Sequence, residues 1–177
     1  MFAGSKRTSE AANASKVAAH RLSGSKVVVF SQWTSMLDLV EIALQEDGYG
    51  FRRLDGTMSL AHRDAQLEDF KTQPNVVILL LSLRAASLGL NLVIANHVVL
   101  LDLWWNPSVE AQAIDRAHRI GQTRHVHVTR ITVANTVEDK ILQLQEQKRE
   151  VINATFGDGG GGGKASMTRA DMLFLFS

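Results

Sequence analysis

The chain contains no cysteine, two prolines and a single tyrosine in 177 residues. Without cysteine there is no disulfide framework and no cysteine-ligated zinc site. An excess of one charge is missing too: 19 basic side chains face 18 acidic ones, for a formal net charge of +1. No global field therefore draws the chain onto nucleic acid, and any such contact has to be local. The longest apolar stretches, Val76 to Leu81 and Val98 to Leu103, are too short to span a bilayer. Met1 to Ser25 has no apolar core, so nothing there reads as a signal peptide. What is present, 45% hydrophobic and 21% charged residues, is the balance of a soluble globular domain with a sizeable core.

Along the chain, residues 1–25 are rich in Ala, Ser, Lys and Gly and read as a linker or disordered end. At Lys26 the character changes. Lys26 to Phe30 is a β-branched run of the kind that forms buried strands, and Trp33, Leu37, Val40 and Leu44 follow at helical spacing until Gly48. The alternation repeats: strand from Phe51 to Leu54, helix from Ser59 to Lys71, strand from Val76 to Leu81, a turn through Arg84 to Ser87, strand from His97 to Asp102. Pro107 opens a helix expected to run from Ser108 to about Arg119, with Gly121 ending it. Val126 to Val133 reads as a last strand, and Thr136, with Asp139 placed for a capping box, opens a long helix to about Thr155. Val137, Ile141 and Leu144 are the positions expected to dock it. Residues 157–164 are a glycine-rich linker, and 165–177 hold a short terminal helix. Strands alternating with helices predict an α/β fold, a parallel sheet with helices on both faces. Ligands of such sheets gather at the carboxyl ends of the strands, which directs attention to Ser31, Gln32, Gly56, Thr57, Ser82 and the Trp104-Trp105 pair.

The most informative segment is Gln112-Ala-Ile-Asp115-Arg116-Ala-His118-Arg119-Ile-Gly121-Gln122. On a helix Gln112, Arg116 and Arg119 share one face. A permanently charged guanidinium forks onto phosphate oxygens, so two on one face suit an anion. A solvated basic face, paired locally with Glu110 or Asp115, satisfies the same spacing.

That segment resembles motif VI of Swi/Snf-type helicase-superfamily ATPases, and other blocks agree in order. Phe30-Ser31-Gln32-Trp33 resembles motif IV. Leu54-Asp55-Gly56-Thr57, with Arg63 and Phe70, resembles the next block, and Ser82 to Leu92 resembles motif V. Asp102-Leu-Trp-Trp-Asn106-Pro107 resembles the element between them. The resemblance covers Lys26 to Ser177 and is greatest to the subgroup of helicase-like transcription factor and the yeast nucleotide-excision-repair ATPases. It implies a RecA-like second helicase lobe over residues 26–156, whose long helix braces toward a first lobe supplied in cis or trans. It implies arginine fingers at Arg116 and Arg119, and ATP contacts at Gln112 and Gly89. It further implies DNA-backbone contacts at Ser31, Gln32, Gly56, Thr57, Ser82 and Trp105, with Trp105 reaching the duplex while Trp104 packs. The expected setting is nuclear and free of membrane, with double-stranded DNA or chromatin as partner and remodelling or repair as the task.

One departure stands out. The family has Ala-Gly-Gly where this chain has Ala85-Ala86-Ser87, and the missing glycines weaken the expected coupling of DNA to ATP through motif V. The run Asp158 to Ala165 mimics a phosphate loop but lacks its first glycine and the hydroxyl that would hold Mg²⁺. No Asp-Glu-x-His motif occurs either, so Mg²⁺ and the triphosphate cradle are expected from the first lobe. His118, His125 and His127 have no fourth ligand near them, and no metal site is expected. A catalytically inactive fragment serving as a DNA- or partner-binding module is the alternative. An unrelated α/β nucleotide-binding protein is a third, disfavoured by the length of the match around Arg116 and Arg119. These 177 residues alone are expected to release no phosphate from ATP above background, with or without duplex DNA. DNA-stimulated turnover that Arg119→Ala abolishes would contradict this reading.

Overall fold

The computed structural model describes residues 24–85, 89–156 and 167–176, and for 151–156 the backbone alone. Among the described residues, five strands and five helices follow one another: β1 (Val27–Ser31), α1 (Thr34–Glu46), β2 (Gly50–Leu54), α2 (Leu60–Thr72), β3 (Val76–Ser82), β4 (His97–Leu100), α3 (Pro107–Ile114), β5 (His127–Arg130), α4 (Val137–Phe156) and α5 (Arg169–Phe176). The sheet order is β2-β3-β1-β4-β5 and every neighbouring pair is parallel. This is the expected α/β architecture with a RecA-like parallel sheet. The expected linker segments 1–23 and 157–164 lie outside the described residues, as do Ala86 and Ser87 of the motif V departure.

Strand periodicity builds two cores. Val28 and Phe30 of β1 pair in register with Leu79 and Leu81 of β3 and with Val98 and Leu100 of β4, and all six point to one face. Val29, Ile78 and Leu80 point to the other. The chain runs outward from β1 to β2, then back to β3. Right-handed crossovers require that reversal to put α1 and α2 on opposite faces, and Leu37 of α1 and Phe70 of α2 are indeed buried in different clusters. Phe70 is fully buried, worth roughly 1.5–3 kcal/mol for a side chain of its kind.

Local chemistry fixes the helix ends. Ser59 caps α2 by accepting the His62 N–H at 3.3 Å. At the other end the Lys26 ammonium donates to the carbonyls of Phe70, Gln73 (2.9 Å) and Val76 (3.0 Å) and lies 5.1 Å from the Phe70 ring centre. A cation there satisfies helix carbonyls that have no intrahelical partner. Thr136 caps α4 by accepting the Glu138 N–H at 3.2 Å, while the Asp139 carboxylate reaches past the cap to the N–H of Asn135 at 2.6 Å.

Several expectations need correction. Trp33 is the N-cap of α1 and 63% exposed, so it lies off the buried stripe that Leu37, Val40 and Leu44 do form. The last strand is four residues, His127–Arg130, with no buried face. Val137 is exposed and only Leu144 of the three docking positions is buried. The helix after Pro107 stops at Ile114, five residues short of Arg119. The Arg116 carbonyl accepts the Leu92 N–H at 3.0 Å, and the Arg116 and Ala117 N–H groups bond three residues back, to Ala113 and Ile114. That tightening turns the backbone toward the loop after β3 and ends the helix.

Gly50 opens β2 where its register against β3 shifts. A Cβ there would sit 2.0 Å from the Asn75 carbonyl oxygen and 2.8 Å from its carbon, whereas one at Gly56 would meet nothing within 4 Å. Gly50→Ala is therefore expected to lower stability by about 1–3 kcal/mol, the usual range for forced overpacking, and Gly56→Ala to leave it nearly unchanged. Equal denaturant midpoints for the two variants would show that β2 and β3 can part without cost.

Candidate functional site

Because the strands are parallel, the residues that follow them emerge at one edge. In sheet order these are Gly56-Thr57 after β2, Ser82 at the end of β3, Ser31-Gln32 after β1 and Trp104-Trp105 beyond β4. Neighbouring strands lie about 4.8 Å apart, so the row spans roughly 15 Å.

Carboxylates hold this edge together. Asp102, two residues past β4, accepts the Ser31 hydroxyl and the Gln32 N–H (2.8 Å), binding the ends of β4 and β1. Ser31 is fully buried, and its hydroxyl also accepts the Trp33 N–H at 3.0 Å. Its carbonyl takes the Leu83 N–H at 2.9 Å, which adds the end of β3. Ser82 is buried as well, and its hydroxyl accepts the Ala85 N–H at 3.3 Å. The Ser31 and Ser82 side chains thus hold loops, while beside them Arg84 is exposed and Gln32 half-buried. Gln32, Arg84, Trp104 and Gln112 line one cleft of about 300 Å³ together with Leu83 and Val109.

After β2, the Asp55 carboxylate accepts both the N–H (3.0 Å) and the hydroxyl (2.5 Å) of Thr57 and pairs with Arg53 at 3.0 Å. Arg53 in turn meets Asp38 (2.5 Å) and Glu41 (3.3 Å) on α1. Gly56 and Thr57 are left exposed at the tip of a turn pinned from beneath.

The arginine segment lies beyond α3. Gln112 is exposed on the helix, Arg116 is half-buried just past its end, and Arg119 is exposed in the following turn. The shared helical face expected for these three does not form, since the helix ends first. Glu110 does not pair with either arginine; it is fully buried and binds Arg130 at 3.0 Å. Arg119 makes no ion pair with a described residue. What brings the segment to the loop after β3 is Gln122. Its amide nitrogen lies 2.8–3.2 Å from the carbonyls of Val93, Ala95 and Ala117, and its oxygen accepts the Arg124 N–H at 3.0 Å. Together with the Leu92–Arg116 bond, this ties the arginines to the loop that holds Gly89. Gly89 is exposed with φ +71°, a conformation that strains any other residue even though the space around it is open.

Trp104 and Trp105 are both half-buried, their ring centres 5.7 Å apart. His127 stacks on His97 across the β4–β5 pair at 5.0 Å. Sequence reasoning missed the anchoring roles of Asp102, Glu110, Gln122 and Gln145. Asp102 and Gln122 stood inside recognisable motifs. Gln145, a polar residue beside the buried Leu144, gave no signal.

Burial by itself would raise the Asp55 carboxyl, but the hydrogen bonds from Thr57 and the Arg53 guanidinium outweigh it and hold it below the ordinary 3.8. A depressed carboxylate contributes stability above its unfolded value and loses it as pH falls through the folded one. The melting temperature is thus expected to drop as pH is lowered below about 4, and Asp55→Asn to flatten that acid limb while lowering stability at neutral pH. An unchanged acid limb in Asp55→Asn would show that this turn carries none of it.

Comparison with known proteins agrees with the geometry. The model of the helicase conserved C-terminal domain matches residues 10–121. The chain is 59% identical over 152 residues to helicase-like transcription factor CHR27 of Arabidopsis thaliana, covering 85% of this chain and 14% of that protein. It is 49% identical over 138 residues to DNA repair protein rad8 of Schizosaccharomyces pombe, covering 78% and 12%. The chain thus spans about one seventh or less of these curated relatives. Among solved structures, the C-terminal part of the Fun30 ATPase domain matches with a TM-score of 0.71 at 31% identity, over 85% of this chain and 46% of that one. The chain therefore belongs to the helicase conserved C-terminal domain family, as a C-terminal lobe of the Swi/Snf type.

Proposed function

We propose that this lobe works as the second half of a DNA-dependent ATPase that moves along duplex DNA, in a nuclear setting of chromatin remodelling or repair. One observation carries the reading: the ends of four neighbouring parallel strands form a continuous row, and the arginine segment is stitched to the loop at the same edge. Gln32, Gly56, Thr57 and Trp105 would meet the DNA backbone along this row, with the buried Ser31 and Ser82 holding their loops in place. Contacts of this kind set register on the duplex without reading its sequence.

Nucleotide would lie between this lobe and a first lobe. Arg116 and Arg119 fit a triphosphate, because a guanidinium presents a planar fork to phosphate oxygens. Gln112 would order the arginines, and Gly89 would let the backbone approach. Magnesium does not fit these residues in the same way. Among the described residues no group of three or more His, Asp or Glu gathers, and Asp55, Asp102 and Glu110 are committed to internal partners. Its ligands belong to the first lobe, which supplies the phosphate cradle in cis or trans.

The exposed Arg119 gives the sharpest test. In a motor completed by a cognate first lobe, Arg119→Lys keeps the charge and loses the fork. Hydrolysis is expected to fall by ~10³-fold or more, the scale of a transition-state arginine. Changing an exposed charge costs about 1 kcal/mol or less, so melting temperature and DNA affinity should stay close to the parent. Unchanged hydrolysis would defeat the assignment to Arg119, and unfolding would show instead that Arg119 is a structural pairing residue.

A further inference from the structure

The double-tryptophan loop is held by side chains of α3 and of the brace helix α4. Trp104 has both of its backbone polar groups satisfied by buried side chains. Its N–H donates to Glu110 Oε1 at 3.0 Å, and its carbonyl accepts the Gln145 amide at 2.5 Å. The same Gln145 nitrogen donates to Glu110 Oε1 at 2.6 Å, and Arg130 closes the network on Oε2 at 3.0 Å. Glu110 and Gln145 are both fully buried. One turn along α4, the Lys148 ammonium lies over the Trp105 ring, 4.4 Å from its centre, and pairs with Asp171 of α5 at 2.8 Å. Asp171 also accepts the Thr168 N–H at 2.9 Å, in the cap of that short helix.

A buried carboxylate is tolerated only when its partners are in place, and removing one leaves a charge uncompensated. Glu110 therefore demands that Gln145, Arg130 and the Trp104 N–H all stay where they are. That demand fixes the loop backbone, and Lys148 then fixes the ring that follows.

We infer that Gln145 is a positioning residue: through Glu110 and the Trp104 backbone, the brace helix sets the place of Trp105 at the end of the strand row. The consequence for DNA rests on the proposed role of Trp105 as a duplex contact; the positioning itself does not. A displacement of the brace helix, by whatever partner it meets, is then transmitted directly to the tryptophan loop.

The experiment has two readouts. The first is made on the 177-residue chain carrying Trp33→Phe, so that emission comes from Trp104 and Trp105 alone. Gln145→Met keeps the length of the side chain and removes its amide. Emission should shift to the red, and acrylamide quenching should rise. Gln145→Glu should give the same change at pH 8 and recover in part near pH 5, because a protonated carboxyl can again donate to Glu110. The second readout is made on the two-lobed motor. The DNA concentration for half-maximal ATP hydrolysis should rise roughly tenfold, equivalent to about 1.4 kcal/mol of lost contact with the duplex, with turnover at saturating DNA within about twofold of the parent.

Unchanged emission in both variants overturns the inference, whatever happens to hydrolysis. Shifted emission with an unchanged DNA requirement upholds the positioning and instead removes Trp105 from the proposed DNA contacts. If Gln145→Met fails to fold, the pH-dependent recovery in Gln145→Glu decides alone, and its absence counts against the inference.

Discussion

All five strands run the same way, and most of what this lobe can do follows from that constraint. Parallel strands cannot be joined by tight turns, so each connection must cross a face of the sheet. The crossings cover both faces with helices and bury the sheet, which is why β1 and β3 are almost wholly apolar. The same constraint sends every strand's carboxyl end to one edge. Residues separated by about 25 to 70 positions in sequence thereby become neighbours in a row.

Such an edge has a weakness. Loops that leave buried strands carry backbone polar groups that no sheet partner satisfies. Here they are satisfied by a few polar side chains reaching between loops. Asp102 joins the ends of β1 and β4, Asp55 closes the turn after β2, and Gln122 holds the arginine segment to the loop after β3. Glu110 and Gln145 do the same for the tryptophan loop. These residues are half-buried or fully buried, where an unmet partner costs about 1–3 kcal/mol or more. They give the edge a single arrangement without occupying its outer surface. Arg84, Gln112 and Arg119 are exposed around this edge, and Gln32 is half-buried.

The two halves of the candidate site are thus held differently. The strand row is pinned by short carboxylate contacts close to the sheet. The arginine segment hangs past the end of α3, and its ties to the loop after β3 include the Gln122 side chain and the Leu92–Arg116 backbone bond. In the proposed motor the arginines would be presented to a phosphate from a turn rather than from a helix surface.

Much of this was legible in the residues. β-branched runs alternating with amphipathic ones determined the α/β class, the parallel sheet and most element boundaries, because burial on both faces leaves short continuous apolar strands that stand out between helical spacings. The Gln112 to Gln122 segment and the blocks before it determined the family. Tertiary structure decided the rest. α3 stops at Ile114 because the Arg116 carbonyl is claimed by Leu92, which is a long-range bond that no local propensity encodes. Ser31 proves to be a loop anchor because Asp102 reaches it from 71 positions away, and Ser82 because its buried hydroxyl accepts the nearby Ala85 N–H. Gln145 governs the tryptophan loop only because α4 packs its polar side chain into the interior beside Leu144. Hydrophobic periodicity reports which face of an element is buried. It does not report which buried polar atom will find which partner, since that depends on distances that exist only once the strands have been brought together.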